Sequence, residues 1–312
     1  MLSVIVLSFN RRDALGRTLD SIDLWTVAID RETIVVDNAS TDGTPAWLHE
    51  ARPGVKLIDL EENVGVEGFN IGARAARGET LLILDDDAHV DEPTLLAALA
   101  WLHDASAGTP RAGVAFAPVH PSTRVPEWPG LHESTNHWPA MGCANLIRAD
   151  AWTKAGGYCP AFFLYRNDTD LALTIRGLGM DLHADPAWIA WHNSPAAKRK
   201  SVRWHTLATR NWIWMTRRHA RGFWKLTGGM LGILWAHRLA GWNLSRHVAT
   251  LRGTIEGLFR NVPPVSAPIA RDGEAYRSLI RHQLRARGRA TRECLGTSQA
   301  SSSSASSQRH SA

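Results

Sequence analysis

The chain has 312 residues, enough for one large domain with an appendage, and 44% of them are hydrophobic, so a full core can be buried. Cys143, Cys159 and Cys294 are its three cysteines, and none form a CxxC pair; this argues against a disulfide framework or a cysteine zinc site and fits a reducing compartment. The formal charge of +5 is uneven: residues 198–260 hold 13 Lys and Arg against one acid, Glu256, so the rest of the chain is net acidic and the two parts should meet different partners.

Leu2 to Leu7 reads as a buried strand, with no basic region or small-residue cleavage site before it, so no secretory signal is expected. Ser8-Phe9-Asn10-Arg11 follows, then a helix with Leu15, Leu19 and Ile22 on one face. Thr33–Val36 is a second strand ending at Asp37-Asn38, and the stretch to Thr44 is turn chemistry that Pro45 closes by opening a helix. Val55–Leu60 is a third strand. Asn63 to Asn70, with Gly65 and Gly68, leads into a helix through Ala76. Thr80–Leu84 is a fourth strand, and it runs straight into Asp85-Asp86-Asp87. Strands alternating with helices predict a mostly parallel α/β sheet, whose ligands bind beyond the carboxyl ends of the strands.

Three adjacent carboxylates raise each other's pKa unless a cation or hydrogen-bond donors compensate. A hard divalent cation would do so, since Mg²⁺ takes carboxylates together with substrate phosphates. Taken alone, the acids also read as a solvated turn that caps the next helix. No GxGxxG follows the first strand and there is no GxxxxGK[ST], so neither a dinucleotide fold nor a P-loop is indicated. Asp37 and Asn38 could read a base or a ribose.

Four pieces in this order resemble family 2 glycosyltransferases of the GT-A fold, of the bacterial rhamnosyl- and galactofuranosyl-transferase kind. They are Ser3–Arg11, Val36–Thr44, Asn63-Val64-Gly65 with Gly68–Gly72, and Leu84–Asp87. The resemblance covers residues 3–195, and more loosely to 260. It implies a nucleoside-diphosphate-sugar donor. Ser8, Phe9, Asn10, Arg11, Asp37 and Asn38 would line the base pocket, with Asn63, Gly65 and Asn70 completing the donor side. Asp85 and Asp86 would face the ribose or the metal, and Asp87 would hold Mn²⁺ or Mg²⁺ on the diphosphate.

In the acceptor half, Asp91-Glu92-Pro93 opens a helix with an apolar face of Leu95, Leu96, Leu99 and Leu102. Pro118 to Pro139 reads as loop and carries Trp128, Trp138, His120, His132 and His137. A helix at Ala149–Ala155 should stop at Gly156-Gly157. Asn167-Asp168-Thr169-Asp170 opens another that runs to Gly179. By the resemblance Asp168 matches the family's catalytic base, and Asn167 stands where Glu is usual, so a role needing a second negative charge there is in doubt. On its residues alone, Asp168 would be read as a helix cap. Ala187–His192 is a strand after Asp185-Pro186, and in relatives a His at its end reaches the metal, which gives His192 as a ligand. A single base without a nucleophile partner points to inversion at the sugar.

Residues 198–288 read as a basic helical appendage with six Trp between 198 and 260: Trp204, Trp212, Trp214, Trp224, Trp235 and Trp242. Its longest uncharged run, Leu226–Ala236, is too short to span a bilayer. Interleaved Trp and Arg suit an interface-lying segment, contact with anionic lipid, or simple packing on the core. Nucleic acid is not expected, because the acidic half offers no matching groove. Lys200–Trp204 is similar to the QxxRW of processive sugar synthases but lacks the Gln, and Arg210-Asn211-Trp212 carries no readable role. From 289 the Ser-rich tail is expected to be disordered. The expected organisation is a catalytic domain over 1–197 (donor half 1–90, acceptor half 91–197), the appendage, and the tail. The expected setting is cytoplasmic or peripheral on the inner membrane face, in surface polysaccharide or glycolipid synthesis, with a saccharide or lipid-linked acceptor. A sugar nucleotidyltransferase and a non-catalytic sugar- or lipid-binding relative are the competing readings.

Overall fold

The computed structural model describes residues 1–26, 29–126, 142–193, 200–265 and 273–281. The first half alternates as the sequence predicts: β1 (Leu2–Ser8), α1 (Arg12–Asp23), β2 (Arg31–Asp37), α2 (Thr44–Ala51), β3 (Lys56–Asp59), α3 (Glu67–Ala75) and β4 (Thr80–Asp85). These four strands pair in parallel in the order β3-β2-β1-β4. Their near-continuous Val, Ile and Leu reflect a sheet covered on both faces. Successive side chains alternate between the faces. Ile5, Ile34, Val36, Leu81 and Ile83 meet Phe69 of α3 on one side, while Val4, Val6, Val35, Leu82 and Leu84 meet Leu15 and Leu19 of α1 on the other.

The second half holds β5 (Ala88–Val90), α4 (Glu92–Leu102), β6 (Arg111–Val119), β7 (Ala144–Arg148), α5 (Ala149–Ala155), α6 (Asn167–Gly177) and β8 (Asp181–His192). It extends the sheet to eight strands, β3-β2-β1-β4-β7-β6-β8-β5. Here the directions mix: β7 is antiparallel to both β4 and β6, and β5 to β8, while β6 and β8 run parallel. Strands β5, β6 and β7 are not predicted by the sequence reading. The Ala- and Gly-rich run Arg111–Val119 lacks the β-branched density that marks a strand, and it is the partner strands that hold it extended. It also takes Pro118 and Val119, expected as loop; of that expected loop, Trp128, Trp138, His132 and His137 lie outside the described residues. β8 begins earlier than expected and absorbs Asp185-Pro186 by a break in register, Phe116 pairing Asp185 and Ala117 pairing Ile189, because Pro cannot donate to the ladder. On α4, Leu95 and Leu102 are buried as expected, but Leu96 is exposed. Gly156 ends α5 at φ +81° as predicted.

The basic Trp-rich segment opens with α7 (Val202–His219), followed by α8 (Phe223–Ala240) and α9 (Leu244–Phe259). Trp212, Trp214 and Met215 of α7 belong to the same core cluster as Ile5, Phe69, Leu171 and Ile175. α9 crosses α7 at backbone contact: a Cβ at Gly253 would lie 2.3 Å from the Thr206 carbonyl oxygen. Gly253→Val should therefore force the helices apart at a cost of about 1–3 kcal/mol. Thermal unfolding should show a fall of several degrees, and an unchanged midpoint would contradict this packing.

Candidate active site

β4 is apolar until Asp85, its last residue, and Asp86-Asp87 form the turn into β5. β5 then pairs with β8 so that Ala88 lies opposite His192, and the Asn193 N–H donates to the Asp87 carbonyl at 2.9 Å. That pairing carries His192 Nε2 to 3.1 Å from Asp87 Oδ1. Asp85, Asp87 and His192 each offer a ligand atom within 4.8 Å of the others, the one such group of three among the described residues. Burial and the neighbouring Asp87 charge push the Asp85 carboxyl up to about 8. Burial also works against the Asp87 charge, but His192 and Arg11 outweigh it and hold that carboxyl below its usual range. Two carboxylates and an imidazole suit Mn²⁺ and admit Mg²⁺, and a divalent cation among them would supply the charge that Asp85 lacks. The donor set therefore fits the metal that the sequence implies.

Asp86 has a different task. Its carboxylate accepts from Ser8 Oγ at 3.1 Å and from the Phe9 N–H at 3.4 Å, and it pairs with the Arg11 guanidinium at 3.2 Å. Thr18 Oγ1 donates to the Asp86 carbonyl at 2.8 Å. Burial still raises this carboxyl to about 6. Arg11 also reaches Asp87 at 2.6 Å, so it lies on the carboxylates. Asn10, at φ +54°, ties this loop to the next: its N–H donates to Ser40 Oγ and its Oδ1 accepts from the Thr41 N–H. Phe9 is exposed beside them.

At the end of β2, Asp37 is buried. Its Oδ1 accepts from the Ser40 N–H at 2.7 Å, while its Oδ2 has no hydrogen-bond partner among the described residues. Burial raises its pKa. This Oδ2 is a buried acceptor without a partner among the described residues, at the end of a parallel strand where ligands of such sheets bind. The other polar residues of the donor half are taken up internally. Asn38 donates to the Gly65 carbonyl and accepts from the Val64 N–H. Asn63 accepts from the Gly65 N–H. Asn70 accepts from the Tyr158 N–H at 2.9 Å and donates to the Tyr158 carbonyl at 2.7 Å. Asn38 and Asn63 thus hold the 63–66 turn within the donor half, and Asn70 fastens α3 to Tyr158. Gly65 is at φ +62°, a Cβ there would meet the Phe163 carbonyl at 2.2 Å, and the Val66 N–H donates to that same carbonyl.

Asp168 stands in the first turn of α6, partly buried. Burial raises its pKa, against the Thr169 N–H and Arg166. Tyr158 feels both this carboxyl and Asp85: burial, then the charges of Asp168 and Asp85, push the phenol well above its ordinary range. Asp170, two residues on, is buried and faces α7. Arg218 lies 2.9 and 3.0 Å from its two oxygens, and His219 Nε2 lies 2.8 Å from Oδ1. Asn211 Nδ2 donates to the carbonyls of Phe162, Leu164 and Tyr165, and Arg210 to those of Ala161 and Phe162. Phe163, Tyr165 and Arg166 all have positive φ, so α7 holds a strained turn immediately before Asp168. The sequence flags Arg210-Asn211-Trp212 but cannot show that its target lies 46–49 residues upstream; Tyr158 and Arg218 carry no signal that distinguishes them from core residues.

Residues 3–171 match the family described as Glycosyl transferase family 2. An N-acetylglucosaminyl-diphospho-decaprenol L-rhamnosyltransferase of Mycobacterium tuberculosis is 25% identical over 278 residues, covering 72% of this chain and 87% of that protein. Succinoglycan biosynthesis protein ExoO of Rhizobium meliloti is 38% identical over 85 residues, a match that covers 27% of this chain and 24% of ExoO. Among solved structures, the mannosyltransferase PcManGT of Pyrobaculum calidifontis, in complex with GDP-Man and Mn²⁺, superposes with a TM-score of 0.57 at 21% identity over 83% of this chain and 87% of that one. S. aureus TarS 1-349 in complex with UDP-GlcNAc gives 0.60 at 14% identity over 84% and 81%. The fold, the order of the motifs and the matched length together place this chain in glycosyl transferase family 2.

Proposed function

We propose that the protein transfers a sugar from a nucleoside-diphosphate sugar to an acceptor hydroxyl with inversion at the anomeric carbon. The observation that carries this reading is the grouping of Asp85, Asp87 and His192 at the end of β4, with the partly buried Asp168 in the first turn of α6 near enough that its charge and that of Asp85 both act on the Tyr158 phenol. Asp85, Asp87 and His192 would hold Mn²⁺ or Mg²⁺ against the donor diphosphate. When bound, such a cation neutralises charge on the departing diphosphate. Asp37 offers its open Oδ2 to an N–H of the base, and Ser8, Phe9, Asn10 and Arg11 form the adjoining wall, with Asp86 holding that wall in place. Asn38, Asn63, Gly65 and Asn70 serve the donor side by fixing its loops.

Asp168 takes the proton of the acceptor hydroxyl as that oxygen attacks the anomeric carbon. Its raised pKa makes it a stronger base than a surface carboxylate. Asn167 beside it is buried and neutral, so Asp168 carries the charge alone. The acceptor is a saccharide or a lipid-linked saccharide, a reading supported by the decaprenol-diphosphate name of the mycobacterial relative and by the basic segment 198–260. The reaction belongs to surface polysaccharide or glycolipid synthesis at the inner membrane face. Residues 1–197 form the catalytic unit, with α7 as its brace and the rest of 198–288 attached through it.

A ligand at about 100 times its Kd adds about 2.7 kcal/mol of stability. One nucleoside diphosphate should therefore raise the melting temperature when Mn²⁺ or Mg²⁺ is present and not in chelator, and Asp87→Ala should remove the rise. A rise independent of metal would sink the metal-bridged donor site. Asp168→Asn should lower kcat by about 10²–10⁴-fold with the nucleotide-induced thermal shift intact. Transfer within tenfold of wild type would remove Asp168 from the chemistry, and NMR of the product should show an inverted anomeric centre.

A further inference from the structure

Helices α8 and α9 are built with small residues inside and large ones outside. On α8, Gly228, Gly232, Ala236 and Ala240 recur every fourth residue and are buried. A Cβ at Gly232 would lie 2.0 Å from the Trp212 ring, and one at Gly228 2.2 Å from the Tyr276 hydroxyl, so α8 needs its glycines to sit this close. Its opposite side carries Phe223, Leu226, Met230 and Leu234 at helical spacing, all exposed. α9 repeats the plan. Ala249, Gly253 and Gly257 face inward, while Leu244, Val248, Leu251, Ile255 and Leu258 form an exposed stripe. The turn between the helices holds Trp242, fully exposed.

An amphipathic helix ordinarily turns its large apolar side chains to the core. Of the 18 large apolar side chains exposed among the described residues, 11 lie between Phe223 and Phe259, so the exposure is concentrated on these two helices and marks an interaction surface. Charge identifies the partner. Residues 221–260 carry six Lys and Arg and one acid, Glu256, which Arg252 engages at 3.0 Å and Arg210 and Arg260 at 3.8 Å. A second copy would bring the same positive charge. Residues 282–312, with five Arg and one Glu, are positive as well. Neither complements this surface, whereas anionic headgroups do. No helix among the described residues is long and apolar enough to cross a membrane, so the fitting arrangement is one lying on it.

We propose that the outward faces of α8 and α9, with Trp242 between them, dock the protein on an anionic bilayer surface. The Leu, Ile and Phe side chains enter the acyl boundary, Trp242 sits at headgroup level, and the flanking Arg and Lys meet lipid phosphates. This assignment does not depend on the donor chemistry, because docking needs neither nucleotide nor metal.

The test is co-sedimentation of the full chain with vesicles of phosphatidylcholine alone or with about 30% phosphatidylglycerol, without nucleotide. Partition should be about tenfold or more stronger to the anionic vesicles and should weaken in about 0.5 M salt. Leu226→Gln with Met230→Gln, and separately Leu251→Gln with Ile255→Gln, should each cut binding about tenfold. The melting temperature and its nucleotide-induced rise should stay at wild-type values. No binding to either vesicle, or equal binding by wild type and both variants, would overturn the proposal. So would a wild-type dimer that these substitutions render monomeric without any vesicle binding, which would assign the surface to a second copy.

Discussion

Three carboxylates at the end of β4 set the terms for everything around them. Left alone in a half-buried site they could not all ionise. The protein separates them. Asp86 is turned into the β1–α1 loop and satisfied by Ser8, the Phe9 N–H and Arg11, and in return it fixes that loop. Asp87 is stabilised by His192, which reaches it only because β5 pairs with β8. Asp85 is left short of positive charge, with its carboxyl near 8. The unmet charge and the ligand chemistry therefore coincide, which supports the proposed cation site.

The α6 side of the site depends on packing from a distance. Asp168 follows a turn in which three non-glycine residues take positive φ, a conformation that persists only when its surroundings over-determine it. Asn211 and Arg210 occupy the carbonyls of that turn, and the Asp170–Arg218–His219 cluster pins α6 to α7. Gly65 meets Phe163 from the donor side at a distance no side chain would allow. Donor loop, acceptor turn and α7 are thus one mechanical unit, and the basic segment starts as part of the catalytic framework before its later helices turn apolar faces outward.

The parallel half was legible because its strands are buried on both faces and end in polar clusters, so apolar runs and turn chemistry marked each boundary. The DDD triplet stands out by type and order, whereas Asp168 and His192 are singled out only by the family resemblance; the structure brings Asp85, Asp87 and His192 together. The triplet's division of labour is not legible, since a sequence gives no sign that Asp86 faces a loop while Asp85 and Asp87 face each other. That Asn38 and Asn70 brace backbone is not readable either, because Asn serves equally well as a donor to substrate and as a brace for backbone. β5, β6 and β7 were missed because the short β5 and β7 and the Ala-rich β6 are held by neighbours more than by propensity, and the clamp from Asn211 to residues 162–165 is a long-range contact with no local signature.

The central claim is that Asp85, Asp87 and His192 hold one divalent cation that bridges to a nucleoside diphosphate. Counting bound Mn²⁺ by electron paramagnetic resonance, as loss of the free-ion signal on titration with protein and nucleoside diphosphate, tests it most directly. One ion should be taken up per chain in the presence of nucleotide, with that uptake lost in Asp87→Asn and weakened in His192→Ala. Uptake that survives Asp87→Asn unchanged, or no uptake by wild type with any nucleoside diphosphate, would contradict that claim.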